Sequence, residues 1–385
     1  MSAGTIVAGD ARGLARALIR IDSRNPSLVT GGAGEATCAQ FLRGVLDAWG
    51  FRTELQDTSA GRPNLIARIG GASGTRTLMF NGHLDVVGVE GMVHAPFNAE
   101  ERDGLLYGRG AADMKGGIAA MCAAAYRAAQ AGGGEIVIAA VADEEYESLG
   151  TRALLAHGVR ADAAVVTEPT RLAIMPAHRG FVWIEVEVRG RAAHGSRWDI
   201  GIDAIRHAGL LLAELDRVDA DVLPRRTHPL LGRGSLHASL ISGGTGMSTY
   251  PDRCVVKLER RSIPGERASD VVREVEEACA VVRSRRHSFA AEVRLLVSQG
   301  PSDVPVDAPL VRALGDSLRE LGEAVRIEGM SAWTDAALLN EAGIPAVCFG
   351  PGDISLAHSA EEYIPLDEID RATAVLTAFA RSWCG

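Results

Sequence analysis

The 385-residue chain contains no C-x-x-C pair; its six cysteines, Cys38, Cys122, Cys254, Cys279, Cys348 and Cys384, lie far apart. Scattered cysteines fit neither a disulfide framework nor a thiolate zinc site, and they read as small buried residues. A dense run of Lys or Arg is also missing, and the formal net charge is −9. The attraction that phosphate backbones and anionic lipid require is therefore not offered, which argues against a nucleic-acid partner or a membrane surface. No stretch of about 18 uninterrupted apolar residues exists to span a bilayer. The first ten residues have neither a cationic start nor a long apolar core, so the cytoplasm is the expected location.

What is present is the composition of an ordinary globular protein, with 47% apolar and 23% charged residues. The length exceeds what one compact core usually holds, so two or three domains are expected. Residues 10–20 and 36–49 carry helical periodicity, 64–69 and 78–81 read as strands, 111–130 as an alanine-rich helix, and 135–141 and 163–166 as further strands. Such alternation implies an α/β layered sheet. After Pro176 the rhythm changes, and residues 181–188 (FVWIEVEV) alternate apolar and polar, as in a sheet with one wet face. A helix around 202–216, strands at 235–241 and 254–261, a helix around 269–283 and a strand at 291–297 complete the β-α-β-β-α-β order of a ferredoxin-like unit. Gln299-Gly300-Pro301 then turns the chain back into α/β material. The expected division is an α/β domain over 1–179 and 298–385, interrupted by a small α+β domain over 180–297.

Five short segments carry the chemistry: His83-Leu84-Asp85, Ala112-Asp113-Met114-Lys115, Asp143-Glu144-Glu145, Thr167-Glu168-Pro169 and Ala357-His358-Ser359. Four of them follow or end a short apolar run (78–81, 135–141, 163–166, 346–349), so a parallel sheet would gather their tips. His83 and Asp85, two apart on an extended segment, point the same way; the carboxylate can take the imidazole N–H and leave the other nitrogen for a metal. A strand end with a polar turn is the ordinary alternative. Asp113 opens a helix in GRGAADMKGG, where Gly108, Gly110, Gly116 and Gly117 permit close backbone approach. The pattern from Gly108 to Asp113 imitates a dinucleotide fingerprint but puts a carboxylate where the third glycine belongs, which would repel a pyrophosphate. A carboxylate there suits a cation, and its two oxygens can bridge two metals. Glu144 and Glu145 repel each other as an exposed acidic turn, yet beside a metal pair one coordinates while the other takes a proton from water. Glu168, before a proline, and His358 add a further carboxylate and imidazole.

The segments GHLDVV, GRGAADMKGG, DEE, TEPT, GRAAHGS and AHSAEEYIP, in this order and spacing, resemble the M20 zinc metallopeptidases. That family includes acetylornithine deacetylase, succinyl-diaminopimelate desuccinylase, aminoacylase-1 and glutamate carboxypeptidase of the G2 type, and the resemblance covers nearly the whole chain. It implies an α/β fold with a zinc-peptidase-like mixed sheet, flanked by helices and interrupted by the ferredoxin-like domain as lid and dimerisation surface. It implies two Zn²⁺ per subunit, one held by His83 and Glu168, the other by Glu145 and His358, with Asp113 shared; carboxylate and imidazole ligands also accept Co²⁺ or Mn²⁺. Glu144 becomes the general base, Asp85 the orienting partner of His83, and the Asp113–Met114 bond is cis.

The same resemblance carries His194, otherwise an ordinary loop histidine, into the active site of a second subunit as an oxyanion donor, and so implies a homodimer. Arg261, on the strand face of Glu259 and opposite Arg260, takes the position that clamps a substrate carboxylate; a solvated strand charge is its plain alternative. Ser248 stands where many relatives have asparagine. The implied activity is hydrolysis of the amide bond of an N-acyl amino acid, with an exopeptidase acting on a dipeptide or C-terminal residue as alternative. An inactive metal-binding scaffold and a nucleotide-dependent dehydrogenase are the other classes. The first is opposed by the completeness of the residue set, and the second rests only on the defective glycine pattern.

Overall fold

The computed structural model describes residues 6–59, 61–71 and 75–385; the first five residues, on which part of the expected location rests, lie outside the described residues. Two compact units emerge, one of Met1–Pro176, Val304–Glu328 and Thr334–Gly385, the other of Ala177–Asp303 and Gly329–Trp333.

The first unit begins with helix α1 (Ala11–Ile19), whose N-cap Asp10 accepts from the amide of Gly13 at 2.9 Å, and α2 (Ala36–Ala48). Strands β1 (Arg52–Asp57), β2 (Pro63–Gly70) and β3 (Thr77–His83) follow, then a short β4 (Glu100–Arg102) and β5 (Leu105–Tyr107). Helix α3 (Gly116–Ala129), β6 (Glu135–Val141), α4 (Leu149–Ala156), β7 (Ala163–Val166) and β8 (Ile174–His178) complete the first pass. The second unit contains β9 (Gly180–Arg189), α5 (Ala204–Arg217), a two-residue hairpin β10 (Thr227–His228) and β11 (Gly232–Arg233), β12 (Ser235–Gly243), β13 (Arg253–Ser262), α6 (Ala268–Arg285), β14 (Ala290–Gln299) and β15 (Ser302–Asp303). The chain returns through α7 (Pro309–Glu320), β16 (Ile327–Met330), α8 (Ala336–Glu341), β17 (Ala346–Cys348), β18 (Tyr363–Pro365) and α9 (Leu366–Cys384).

In the first unit the sheet runs β1-β2-β6-β3-β7-β17-β8. Its middle is parallel, β6 with β3, β3 with β7 and β7 with β17, while β1, β2 and β8 pair antiparallel. The sheet is thus mixed, with the parallel strands buried as their continuous apolar sequences demand: every described residue of β7 and β17 is buried. Helices α1, α2, α3 and α9 supply the other wall of that core through Leu14, Leu42, Met121 and Phe379. Strand β1 was not foreseen; its RTELQD sequence has one wet side and no apolar run.

In the second unit the order β12-β13-β9-β14 is antiparallel throughout, the arrangement expected of a βαββαβ unit. Val182, Ile184, Val186 and Val188 of β9 point into a core closed by α5 and α6, leaving Phe181, Trp183, Glu185 and Glu187 on the other face. The segment Gly329–Trp333 packs with this unit, outside the simple 180–297 insertion, because the Trp333 indole donates to the Gly300 carbonyl at 2.9 Å and stands edge-on to Phe181 and His178. All six cysteines are free and buried, and burial pushes the Cys279 thiol up to about 11. Among the described residues no helix is long and apolar enough to cross a membrane.

The helix expected over 111–130 begins only at Gly116. Residues Ala111–Lys115 form a wide turn in which Asp113 (φ −119°, ψ 92°) and Met114 leave helical geometry, and the Asp113–Met114 peptide is cis. Gly117 explains the glycine pair that follows, since a Cβ there would lie 2.0 Å from the Thr167 carbonyl oxygen. This contact brings the start of α3 against the end of β7. Gly117→Ala should destabilise the fold by about 1–3 kcal/mol through overpacking; an unchanged urea midpoint would contradict the packing described.

Candidate functional site

The four parallel strands end at the same edge, the edge where sheets of this kind place their ligands. His83 closes β3, Glu144 and Glu145 follow β6, Glu168 follows β7, and His358 lies on the loop beyond β17. Asp113 stands between them. Its Oδ1 is 2.9 Å from His83 Nε2, which is 4.0 Å from Glu168 Oε1. Its Oδ2 is 3.5 Å from His358 Nε2, which is 3.0 Å from Glu145 Oε2. One carboxylate therefore faces an imidazole with each oxygen. Among the described residues, potential ligand atoms of His83, Asp113 and Glu145, and of His83, Glu144 and Glu168, lie within 4.8 Å of one another.

Adjacent in sequence, Glu144 and Glu145 diverge, the first toward Glu168 and the second toward His358. Burial, then the nearby charge of Glu168, raises the Glu144 carboxyl well above its usual range; burial and Asp113 do the same to Glu168. Burial would also raise Asp113, but the hydrogen bonds of His358 and His83 hold it below the usual carboxylate range. Hydrogen bonds to Asp113 and Glu145 push His358 up to about 10. Four carboxylates are set against two imidazoles, with His83, Asp113 and Glu168 buried and the His358 ring exposed, so the cluster is short of positive charge.

Support for His83 takes a different route from the one expected. Its Nδ1–H donates to the backbone carbonyl of Asp85 at 2.9 Å, while the Asp85 carboxylate is 3.7 Å away. That bond leaves Nε2 turned toward the carboxylates, where it donates to Asp113 Oδ1 and, despite burial, the hydrogen bond and charge of Asp113 raise the imidazole well above its usual range. The Asp85 carboxylate instead accepts the amides of Glu144 at 3.1 Å and Glu145 at 3.2 Å, and burial pushes it up to about 7.

Further residues act on the cluster without having been singled out. Glu362 Oε1 accepts the amides of Ala112 at 3.0 Å and Asp113 at 3.2 Å, and its Oε2 is held by Arg109 at 2.6 Å. It sits four residues beyond His358, inside the quoted AHSAEEYIP segment, so proximity to a motif was its only signal. Asp335 is buried, accepts from Thr151 at 2.6 Å, is pushed up to about 6 by burial, and adds negative potential at Glu144 and Glu168.

The remaining expected residues belong to the second unit. His194 is exposed, with Nδ1 2.8 Å from Ser196 Oγ. Its loop is tied to the neighbouring one by Gly195 N–H donating to the Ser248 carbonyl at 2.7 Å and Tyr250 N–H to the Ala193 carbonyl at 2.9 Å. Arg261 lies on the open sheet face, ion-paired to Glu259, with its guanidinium carbon 5.4 Å from the Phe181 ring centre. Arg260 faces the opposite way and is buried against Glu266 at 2.7 Å and Glu274 at 3.5 Å.

The donor set suits divalent cations. It combines an imidazole oriented through Nδ1 that can give up its Nε2 proton to a metal, a second imidazole, and carboxylates that repel unless a cation joins them. The loss of a ligand proton on binding follows from the same crowding. Thiolate is absent from the site, which favours a metal that accepts nitrogen and oxygen.

The chain is similar to several known proteins. Over 360 residues the chain is 34% identical to acetylornithine deacetylase of Myxococcus xanthus, covering 90% of this chain and 91% of the relative. It is 28% identical to N-formyl-4-amino-5-aminomethyl-2-methylpyrimidine deformylase of Bacillus subtilis, covering 89% of this chain and 88% of the relative. Among solved structures, aminopeptidase PepT of Bacillus cereus superposes with a TM-score of 0.81 at 21% identity, covering 99% of this chain and 100% of that one. Human carnosine dipeptidase 1 superposes with a TM-score of 0.76 at 21% identity, covering 97% and 96%. The model of peptidase family M20/M25/M40 matches residues 79–382, a span that includes every residue of the carboxylate and imidazole cluster, and the chain belongs to that family of hydrolases.

Proposed function

We propose that the protein is a metal-dependent amidohydrolase that cleaves N-acyl amino acids to a carboxylate and a free amino acid. The observation that carries this reading is the placement of Asp113 between His83 and His358 while Glu144 and Glu145 diverge around it. The deacylating names of the sequence relatives support the acyl substrate. An exopeptidase is the second reading, supported by the peptidase names of the structural neighbours.

Two zinc ions, or cobalt or manganese, would be held by His83 and Glu168 on one side and Glu145 and His358 on the other, with Asp113 shared; when bound, such ions acidify water and polarise a carbonyl. Glu144 takes the proton of the attacking water and returns it to the leaving amine. Asp85 acts from behind, fixing His83 through its carbonyl and the Glu144–Glu145 turn through its carboxylate. Arg261 is assigned to the substrate carboxylate, which a guanidinium can hold bidentately.

The protein is proposed to act as a homodimer in which His194 donates to the oxyanion formed in the partner's site. Support comes from the edge strand β12, where Leu240 is 64% and Ile241 56% exposed, and from Ile205 on α5 at 45%. A cytoplasmic location is proposed on the six free, buried thiols.

A panel of N-acetyl, N-succinyl and N-formyl amino acids against dipeptides, run on zinc-reconstituted protein, should show one acyl series exceeding every dipeptide in kcat/KM. The reverse ranking selects the exopeptidase. Glu144→Ala should retain two metals per subunit by elemental analysis while kcat falls by at least about 10²-fold; near-normal turnover would remove Glu144 as the base. His194→Ala should lose about 10²–10³-fold in kcat. Mixing His194→Ala with Glu144→Ala subunits should restore part of the activity, whereas no recovery after subunit exchange would place His194 outside the partner's site.

A further inference from the structure

Behind the cluster lies a chain of buried polar groups that reaches no ligand atom. Arg62, immediately before β2, is 8% exposed, and its Nε donates to Glu35 Oε2 at 3.0 Å while Nη2 engages Glu35 Oε1. The opposite corner of the same guanidinium, Nη1, donates to Asp143 Oδ1 at 2.7 Å and to Ser27 Oγ at 3.1 Å. Asn25 Nδ2 then spends both hydrogens on two carboxylates, Asp143 Oδ1 at 3.1 Å and Asp85 Oδ2 at 2.8 Å. Glu35, Asn25, Asp85 and Asp143 are wholly buried.

The two carboxylates at the end of this chain hold the same turn from both sides. Asp85 accepts the amides of Glu144 and Glu145; Asp143 Oδ2 accepts those of Glu147 at 3.3 Å and Leu149 at 3.5 Å. Asp143 itself has φ of 66°, a left-handed conformation uncommon for aspartate, and its carbonyl accepts the Ser148 amide at 2.6 Å. A turn that must send two neighbouring carboxylates in different directions is thus clamped through its amides; behind it Asn25 bridges the Asp85 and Asp143 carboxylates, and Arg62 ties Asp143 to Glu35.

We propose that Arg62 and Asn25 are positioning residues for hydrolysis, acting through Asp143 and Asp85 to set the Glu144–Glu145 turn and hence the divergence of its side chains. The inference rests on the assignment of Glu144 as base and Glu145 as ligand. Without the guanidinium, Asp143 and Glu35 lose their shared counter-charge, and without the Asn25 amide, Asp85 and Asp143 face each other unbridged. In either case the turn loses its geometry while the sheet beneath keeps its apolar core. Misplacement of a reacting group by an ångström can cost about 10²-fold in rate.

The test compares wild type with Arg62→Met, Arg62→Lys, Asn25→Leu, Glu144→Ala and Arg68→Met. Arg68 lies on the strand that follows Arg62, β2, but pairs with Glu135 at 2.8 Å, away from the turn. Two readouts are taken: kcat and KM of the zinc-loaded enzyme, and amide hydrogen exchange of the metal-free protein. Arg62→Met and Asn25→Leu should lose about 10²-fold in kcat, with KM within about threefold of wild type. Exchange over residues 142–149 should rise by about tenfold, with the rest of the chain unchanged. Arg62→Lys should recover part of both, since an ammonium keeps the charge but not the fork, and Arg68→Met should match wild type.

Wild-type kcat in Arg62→Met and Asn25→Leu would overturn the proposal. So would an exchange increase spread over the whole chain, which would mark a purely structural role. If Arg62→Met does not fold, Asn25→Leu decides by the same readouts, because it removes three hydrogen bonds, two donated by Nδ2 and one accepted from the Ser27 amide, without adding or deleting a charge. Failure of the underlying assignment would show separately, as turnover persisting in Glu144→Ala.

Discussion

Four carboxylates, Asp113, Glu144, Glu145 and Glu168, converge on two imidazoles at the ends of four parallel strands, and this concentration of buried negative charge is what the surrounding structure has to hold. Left alone the carboxylates would drive each other apart or take up protons, as the raised Glu144 and Glu168 show. Each is therefore restrained through its backbone. Glu362 grips the amide of Asp113, Asp85 grips those of Glu144 and Glu145, and the Gly117 approach locks α3 against the residue preceding Glu168. Holding the main chain leaves the side-chain oxygens available to a cation, which is the requirement of a metal site assembled in advance of its metal.

The strands that build the site were readable because each is short, apolar and followed directly by its functional residue. Glu135–Val141 and Ala163–Val166 occupy the positions that their sequences indicate. The parallel pairing of β6, β3, β7 and β17 then does what the spacing suggested, gathering tips that are far apart in the chain. The antiparallel edges were less visible: β1 offers only polar alternation, and β8 is a five-residue strand that contains a proline.

What remained hidden was the support. Glu35, Asn25 and Arg62 precede β3, sit in unremarkable polar sequence and acquire meaning only when folding buries them beside Asp143. Asp85 was noticed, but alternation along a strand says which way a side chain points and not whether carbonyl or carboxylate will meet the imidazole. The turn at Ala111–Lys115 was concealed from periodicity by alanine, which suits a helix; only the cis Asp113–Met114 bond implied by the family resemblance pointed to it. In the second unit, alternation correctly separated Arg260 from Arg261; the ion pairs that bury Arg260 come from α6 and the loop before it, which no local pattern connects to β13.

The six thiols bear on dynamics. Cys254 and Cys279 lie in the core of the second unit, whereas Cys38, Cys122 and Cys384 lie in the core of the first and Cys348 is fully buried on β17. A thiol reagent cannot reach any of them without local or global opening. Each unit thus contains its own internal clock, and the labelling rates of the two sets record separately how often each part of the molecule opens.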